Sequence, residues 1–194
     1  MKYKLSIIIF ILCIATVYFF ISRNAIDYVK SSLNGKKYIV QNLPDKLDAA
    51  NILALLDDTI KKFTTYLYNN KDTDELKSNA QYIELLHDRS KNVKLRECNK
   101  NSSFTTYTRD KGKEIIFCLR SKNTNKLHDI NLLMFVTIHE LAHIACPEKD
   151  HTPLFVQIFK FLLNCAIKLK YYTYVNYKIQ EIEYCGMIID QTPI

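Results

Sequence analysis

The sequence predicts an α+β fold, a small domain preceded by an N-terminal apolar helix. Three observations lead there. Residues 5–21 are uncharged and bracketed by Lys2, Lys4 and Arg23. Further on, apolar residues recur at helical spacing, or run almost without interruption, over 44–68, 73–88, 130–145 and 153–170. In the middle of the chain, at 93–97, 103–108 and 114–119, the pattern changes to short β-rich runs separated by turn residues. A chain of 194 residues has room for one core and an appendage. Its 48% hydrophobic and 24% charged content excludes wholesale disorder, and three glycines exclude a collagen-like chain.

The net charge of +7 invites a nucleic-acid surface, but its distribution argues otherwise. Residues 1–40 hold six basic side chains and Asp27, giving +5 of the total. The remaining 21 basic and 19 acidic groups give only +2. The basic excess therefore flanks the apolar run. Nucleic acid is not an expected partner.

Residues 5–21 sit at the short end of what spans a bilayer as a helix. No small-residue cleavage pattern follows, so the expectation is an uncleaved anchor at 1–22 with the lipid bilayer as partner and a single-pass membrane location. Residues 23–37, polar and containing Gly35, read as a juxtamembrane linker, and 38–194 as the domain. A slight excess of Lys and Arg after the run leans towards a cytosolic domain.

Within the domain, 38–40 is a candidate strand. The helix over 44–68 carries Leu47, Ala50, Leu53, Leu56, Ile60, Phe63 and Leu67 on one face, and the next, over 73–88, carries Leu76, Ala80, Ile83 and Leu86. Both stripes read as core. Strands at 103–108 and 114–119 are joined by a turn in which Gly112 supplies a positive φ. The strand at 114–119 is a candidate edge for pairing with an extended substrate. Asp129 is a good N-cap for the apolar helix, which Pro147 stops; Thr152 and Pro153 open the last helix. Apart from Cys13, five cysteines remain without a C-x-x-C pair, which is not a disulfide framework. The tail is rich in tyrosine, with Tyr171, Tyr172, Tyr174, Tyr177 and Tyr184 as candidate donors to an oxyanion.

The chemistry is concentrated in His139-Glu140-Leu141-Ala142-His143. Four residues make about one helical turn, so both imidazoles project from one side and can share an ion. Glu140, offset by about 100°, can reach a water beside the ion without ligating it. Histidines and a glutamate inside an apolar helix would otherwise be costly to bury. His151, past the Pro147 break, is the best third ligand, ahead of carboxylates such as Glu148, Asp150 or Glu181. His87 and His128 lie elsewhere in the pattern. Three histidines suit Zn2+, which leaves a fourth position for water and lowers its pKa towards 7, with Glu140 as general base.

The motif, a short loop and then His151-Thr152-Pro153-Leu154-Phe155 resemble the WLM and SprT-like zinc metallopeptidases, where the third histidine is followed by x-x-x-Phe. Thr105-Thr106-Tyr107-Thr108, Lys111-Gly112-Lys113-Glu114-Ile115, Cys118-Leu119-Arg120 and Tyr184-Cys185-Gly186 look like a narrower group of metallopeptidase-like proteins from large DNA viruses. The resemblance implies a compact zincin-like domain with zinc on His139, His143 and His151, and hydrolysis of a protein or peptide substrate. A non-catalytic, zinc-stabilised membrane or virion protein is the alternative, and a DNA–protein crosslink protease a third reading.

Overall fold

The computed structural model describes residues 2–23 and 25–194, with side chains described for 7–17 and 25–194. Its helices are α1 (Lys2–Arg23), α2 (Lys46–Asn69), α3 (Ala80–Ser90), α4 (Ile130–Ala145) and α5 (Pro153–Lys168). The strands are β1 (Ile26–Lys30), β2 (Lys37–Gln41), β3 (Lys94–Glu97), β4 (Tyr107–Arg109), β5 (Glu114–Phe117), β6 (Ile182–Tyr184) and β7 (Met187–Ile189). Five strands form one sheet in the order β1-β2-β3-β5-β4, and β6 and β7 form a separate hairpin. β2, β3 and β5 run parallel, while β1 and β4 pair antiparallel at the two edges. A parallel pair needs a long crossover, and α2 and α3 supply the one between β2 and β3.

The α2 stripe buries as its spacing demands: Leu53, Leu56, Ile60, Phe63 and Leu67 are inside, while Leu47 is exposed. α3 begins later than its stripe suggests, because residues 77–79 form a 3₁₀ turn first. Ile83 and Leu86 still reach the core. α4 is buried along almost its whole length, and its N-terminus is closed by Asp129, whose carboxylate accepts from the amides of Asn131 (2.8 Å) and Leu132 (3.4 Å). Gly112, at φ +107°, lets the β4–β5 turn lie against α3 and α4: a Cβ there would stand 2.8 Å from the Arg89 carbonyl oxygen and 3.2 Å from Ile144 Cγ2.

One buried polar cluster ties the sheet to α2. Arg120 donates from Nε to Glu97 (2.8 Å) and from Nη1 to Asp45 (2.6 Å), and the Gln41 amide donates to the second Glu97 oxygen (2.7 Å). Burial pushes the Glu97 carboxyl above its ordinary range, opposed by Gln41 and Arg120.

Several expectations change. The strand at 114–119 is not an edge: β5 is paired on both sides, by β3 and β4, and β4 is the edge. Its apolar run Ile115-Ile116-Phe117, buried throughout, is what a covered strand requires. The linker expected at 23–37 contains β1, paired with β2 from Ile26 to Lys30, so the domain begins earlier than residue 38. Cys118 and Cys185 form a disulfide across 67 residues with Cα atoms 6.3 Å apart, although the cysteine count suggested no framework. Among the described residues no helix is long and apolar enough to cross a membrane. Of the anchor expected at 1–22, side chains are described only for 7–17, eleven residues against the roughly twenty a span needs. The rest of that expectation lies outside the described side chains.

Candidate metal centre

His139 and His143 lie one turn apart on the least buried side of α4, while Ile138, Glu140, Leu141, Ala142 and Ile144 are buried around them. Pro147 follows the helix end, and the chain must then return towards the imidazoles. Two cations shape that return. Arg89 Nη1 donates to the Ile144 carbonyl (2.7 Å), an unpaired acceptor of the last turn, and Lys111 Nζ donates to the carbonyls of Cys146 (3.2 Å) and Glu148 (2.8 Å). Asp150 adopts φ +63°, and Thr152 then caps α5 by accepting from the Phe155 amide at 3.3 Å. The result brings His151 beside the α4 pair.

The three Nε2 atoms form a nearly equilateral triangle, with separations of 3.2 Å (His139–His143), 3.1 Å (His143–His151) and 3.2 Å (His139–His151). Tetrahedral Zn2+ with Zn–N bonds of about 2.0–2.1 Å sets its nitrogen ligands about 3.3 Å apart. The triangle fits that requirement. Phe155 packs against all three rings, with centroids 4.2 Å from His143, 4.7 Å from His151 and 5.1 Å from His139. Burial, reinforced by the neighbouring imidazoles, holds His139 down to about 3; burial and His151 hold His143 down to about 4. Both are therefore neutral near pH 7, the form a metal takes. Of the carboxylates that could serve as third ligand, Glu148 instead accepts from the Thr152 hydroxyl, and among the described residues the group that could hold a metal comprises the three histidines. His87 stacks on Tyr68 and His128 packs against Tyr184, both outside the triangle.

Glu140 stands beside the triangle without joining it. It is 3% exposed and lines the same cleft as His139 and His151. The Thr108 hydroxyl on β4 donates to Glu140 Oε2 at 2.7 Å. Burial pushes the carboxyl up to about 7, against the pull of the Thr108 side chain and backbone. Thr108 was visible in the sequence only as part of a β-rich run; its pairing with a residue 32 positions away has no local signal. Of the five tail tyrosines, only Tyr184 lines the clefts beside the triangle. Its hydroxyl pairs with Thr106, whose Oγ1 also accepts from the Cys118 amide at 2.9 Å, and burial raises its pKa far above the ordinary value.

Similar proteins come from viruses. The chain is 44% identical over 184 residues to "Uncharacterized protein R325" of Acanthamoeba polyphaga mimivirus, covering 93% of this chain and 92% of that one. It belongs to the family of that mimivirus protein. A shorter match, 44% over 62 residues, relates 31% of this chain to 35% of "Uncharacterized protein 136R" of Invertebrate iridescent virus 6. No protein-family model matches the chain. Among solved structures, that of Wss1 from Saccharomyces cerevisiae aligns with a TM-score of 0.46 and 19% identity, over 68% of this chain and 88% of that one.

Proposed function

We propose that this chain is a zinc-dependent metallopeptidase that hydrolyses peptide bonds, with zinc held by His139, His143 and His151 and Glu140 as general base. The observation that carries this reading is the Nε2 triangle, with sides of 3.1–3.2 Å, lying in one cleft with a buried glutamate that is not one of its members. Zinc bound there would act as a Lewis acid, polarising a carbonyl and making water nucleophilic near neutral pH. The chain's residues do the rest. Thr108 fixes Oε2 of Glu140, so the carboxylate faces its proton donor in one orientation. A carboxyl near 7 can accept a proton from the attacking water and return it to the leaving nitrogen. Phe135, Phe155 and Phe159 line the cleft on one side.

The direct test is metal analysis of the full chain paired with a peptide-digestion screen. One zinc per chain and cleavage that Glu140→Gln abolishes while keeping the zinc would support the proposal. A chain that binds no zinc would refute it. Zinc with no hydrolysis, and function undisturbed by Glu140→Gln, would favour a zinc-stabilised structural protein instead.

Attachment to a membrane is part of the proposal and rests on the uncharged run at 5–21. It is supported by the exposure of Ile7, Ile8, Phe10, Ile11, Leu12 and Ile14, each more than half open, along the described part of α1. Loss of vesicle co-sedimentation on deleting residues 1–24 is the expected result. Nucleic acid is left out because the domain carries little net charge.

A further inference from the structure

The cleft at the histidine triangle has two unlike halves. They share Thr105, Thr106, His139, Glu140 and His151, so the triangle lies at their junction. One half, beside the loop that carries His151, is lined by Asp110, Lys111, Glu148, Lys149 and Asp150. The other is a cavity of about 600 Å³ whose floor is Phe135 and Phe159 of α4 and α5. Its walls are Val156 on α5 and Met187 and Ile188 on the C-terminal hairpin, which are 44%, 49% and 53% exposed. Apart from Glu140 at the junction, the only ionisable carboxylate on the apolar side is Asp190. Apolar side chains left open on facing walls gain nothing from water, and they adjoin the atoms placed to act on a peptide bond.

We propose that this apolar half is a subsite for one bulky apolar side chain of an extended peptide, with Val156 and Met187 as the specificity-determining residues. The proposal rests on the peptidase reading and adds the class of substrate. The occupant follows from continuity and charge. The chamber opens directly onto the triangle and Glu140, so what fills it belongs to the residue flanking the bond attacked. The polar groups of that half, Asp190, Gln191 and Thr192, lie on the C-terminal segment, whereas α4, α5 and the hairpin present Phe135, Phe159, Val156, Met187 and Ile188, against which a Phe, Leu or Met side chain exchanges water for ring and methyl contacts. The charged half accepts polar residues on the other flank.

The experiment uses the zinc-loaded full chain and a panel of decapeptides that differ only at one central residue: Phe, Leu, Met, Ala, Asp or Lys. Binding is read by fluorescence anisotropy on the Glu140→Gln variant, so that the subsite is measured whether or not peptides are cut; cleavage is read on the unsubstituted chain. The expected result is at least tenfold tighter binding of the Phe and Leu peptides than of the Ala and Asp peptides, a ratio that Met187→Glu and Val156→Asp reduce to under threefold with zinc content unchanged. Equal affinities across the panel would overturn the proposal, as would a ratio that both wall variants leave intact. A second copy of the chain seated in the chamber would appear as a concentration-dependent dimer with equal peptide affinities, which also overturns it. Preferential binding without any cleavage would sink the peptidase reading and leave the subsite standing.

Discussion

Arg120 is buried against the fully buried Glu97 and the half-exposed Asp45, opposite charges in contact, whereas His139, His143 and His151 bring three like nitrogens together. The first cluster is largely self-satisfied, with Arg120 Nη2 as its one buried atom left without a partner. Glu97 is fully buried with both oxygens paired, and Arg120 spends its Nε and Nη1 protons on carboxylates. The second sets three Nε2 atoms 3.1–3.2 Å apart, an arrangement in which one cation would engage all three nitrogens at once. One cluster is thus a polar pairing inside the core, the other a set of like groups gathered at a cleft. The difference is readable from charge and geometry.

The largest effect separates the clusters by metal. His139→Ala and His143→Ala should each take zinc from one per chain to none after dialysis, by elemental analysis, while Arg120→Met should retain one per folded chain. The next separates them by stability. Arg120→Met strands a buried carboxylate and should cost about 3–5 kcal/mol in urea unfolding of the metal-loaded chain; a loss under about 1 kcal/mol would mean that the cluster is not the paired unit described.

A smaller effect is expected with pH. In the metal-free chain His139 is held at about 3 against 6.5 when unfolded. Between those values the unfolded state binds more protons, so the stability from the neutral imidazole is full above pH 6.5 and lost as pH falls towards 3. The share of His139 between pH 7 and pH 5 is about 2 kcal/mol; His143, held down to about 4, adds to the loss, and Glu140, held up to about 7, opposes it. His139→Gln should remove that share in urea titrations. The smallest concerns Thr108. Thr108→Val should lower kcat about tenfold with KM little changed and zinc retained, and Thr108→Ser should restore most of it. An equal fall in both variants would argue for packing rather than the hydroxyl.

What the sequence made legible was local. The Asp129 cap, the Pro147 stop and the Thr152-Pro153 start delimit α4 and α5 because each acts on its own first or last turn. His139 and His143 follow from helical spacing, and His151 from the forced reversal after Pro147. Phe155 stood in the motif, but its contact with all three imidazoles needed the fold. The strand β1 lies within a stretch that reads as a linker: Ile26, Tyr28 and Val29 are strand formers, but only the pairing with β2 shows that they belong to the sheet. β5 was misplaced as an edge because strand periodicity does not say how many neighbours a strand has. The β6–β7 hairpin was missed because its strands are only three residues long and its turn is Cys185-Gly186, both at positive φ, where Asn-Gly is the usual signal.

The Cys118–Cys185 bond fastens that hairpin turn just beyond the end of β5, and the hairpin is one wall of the cleft. Closing a loop across 67 residues restrains the unfolded chain by about 4 kcal/mol in the chain-entropy account. Where thiols are oxidised during maturation, the wall is covalent. Where glutathione keeps them reduced, the wall keeps its three-residue ladder, the Tyr184–Thr106 hydrogen bond and the contact of His128 with Tyr184 and the Cys185 amide. The cellular compartment in which this chain matures thus sets how firmly that wall of the cleft is held, without touching the histidine triangle.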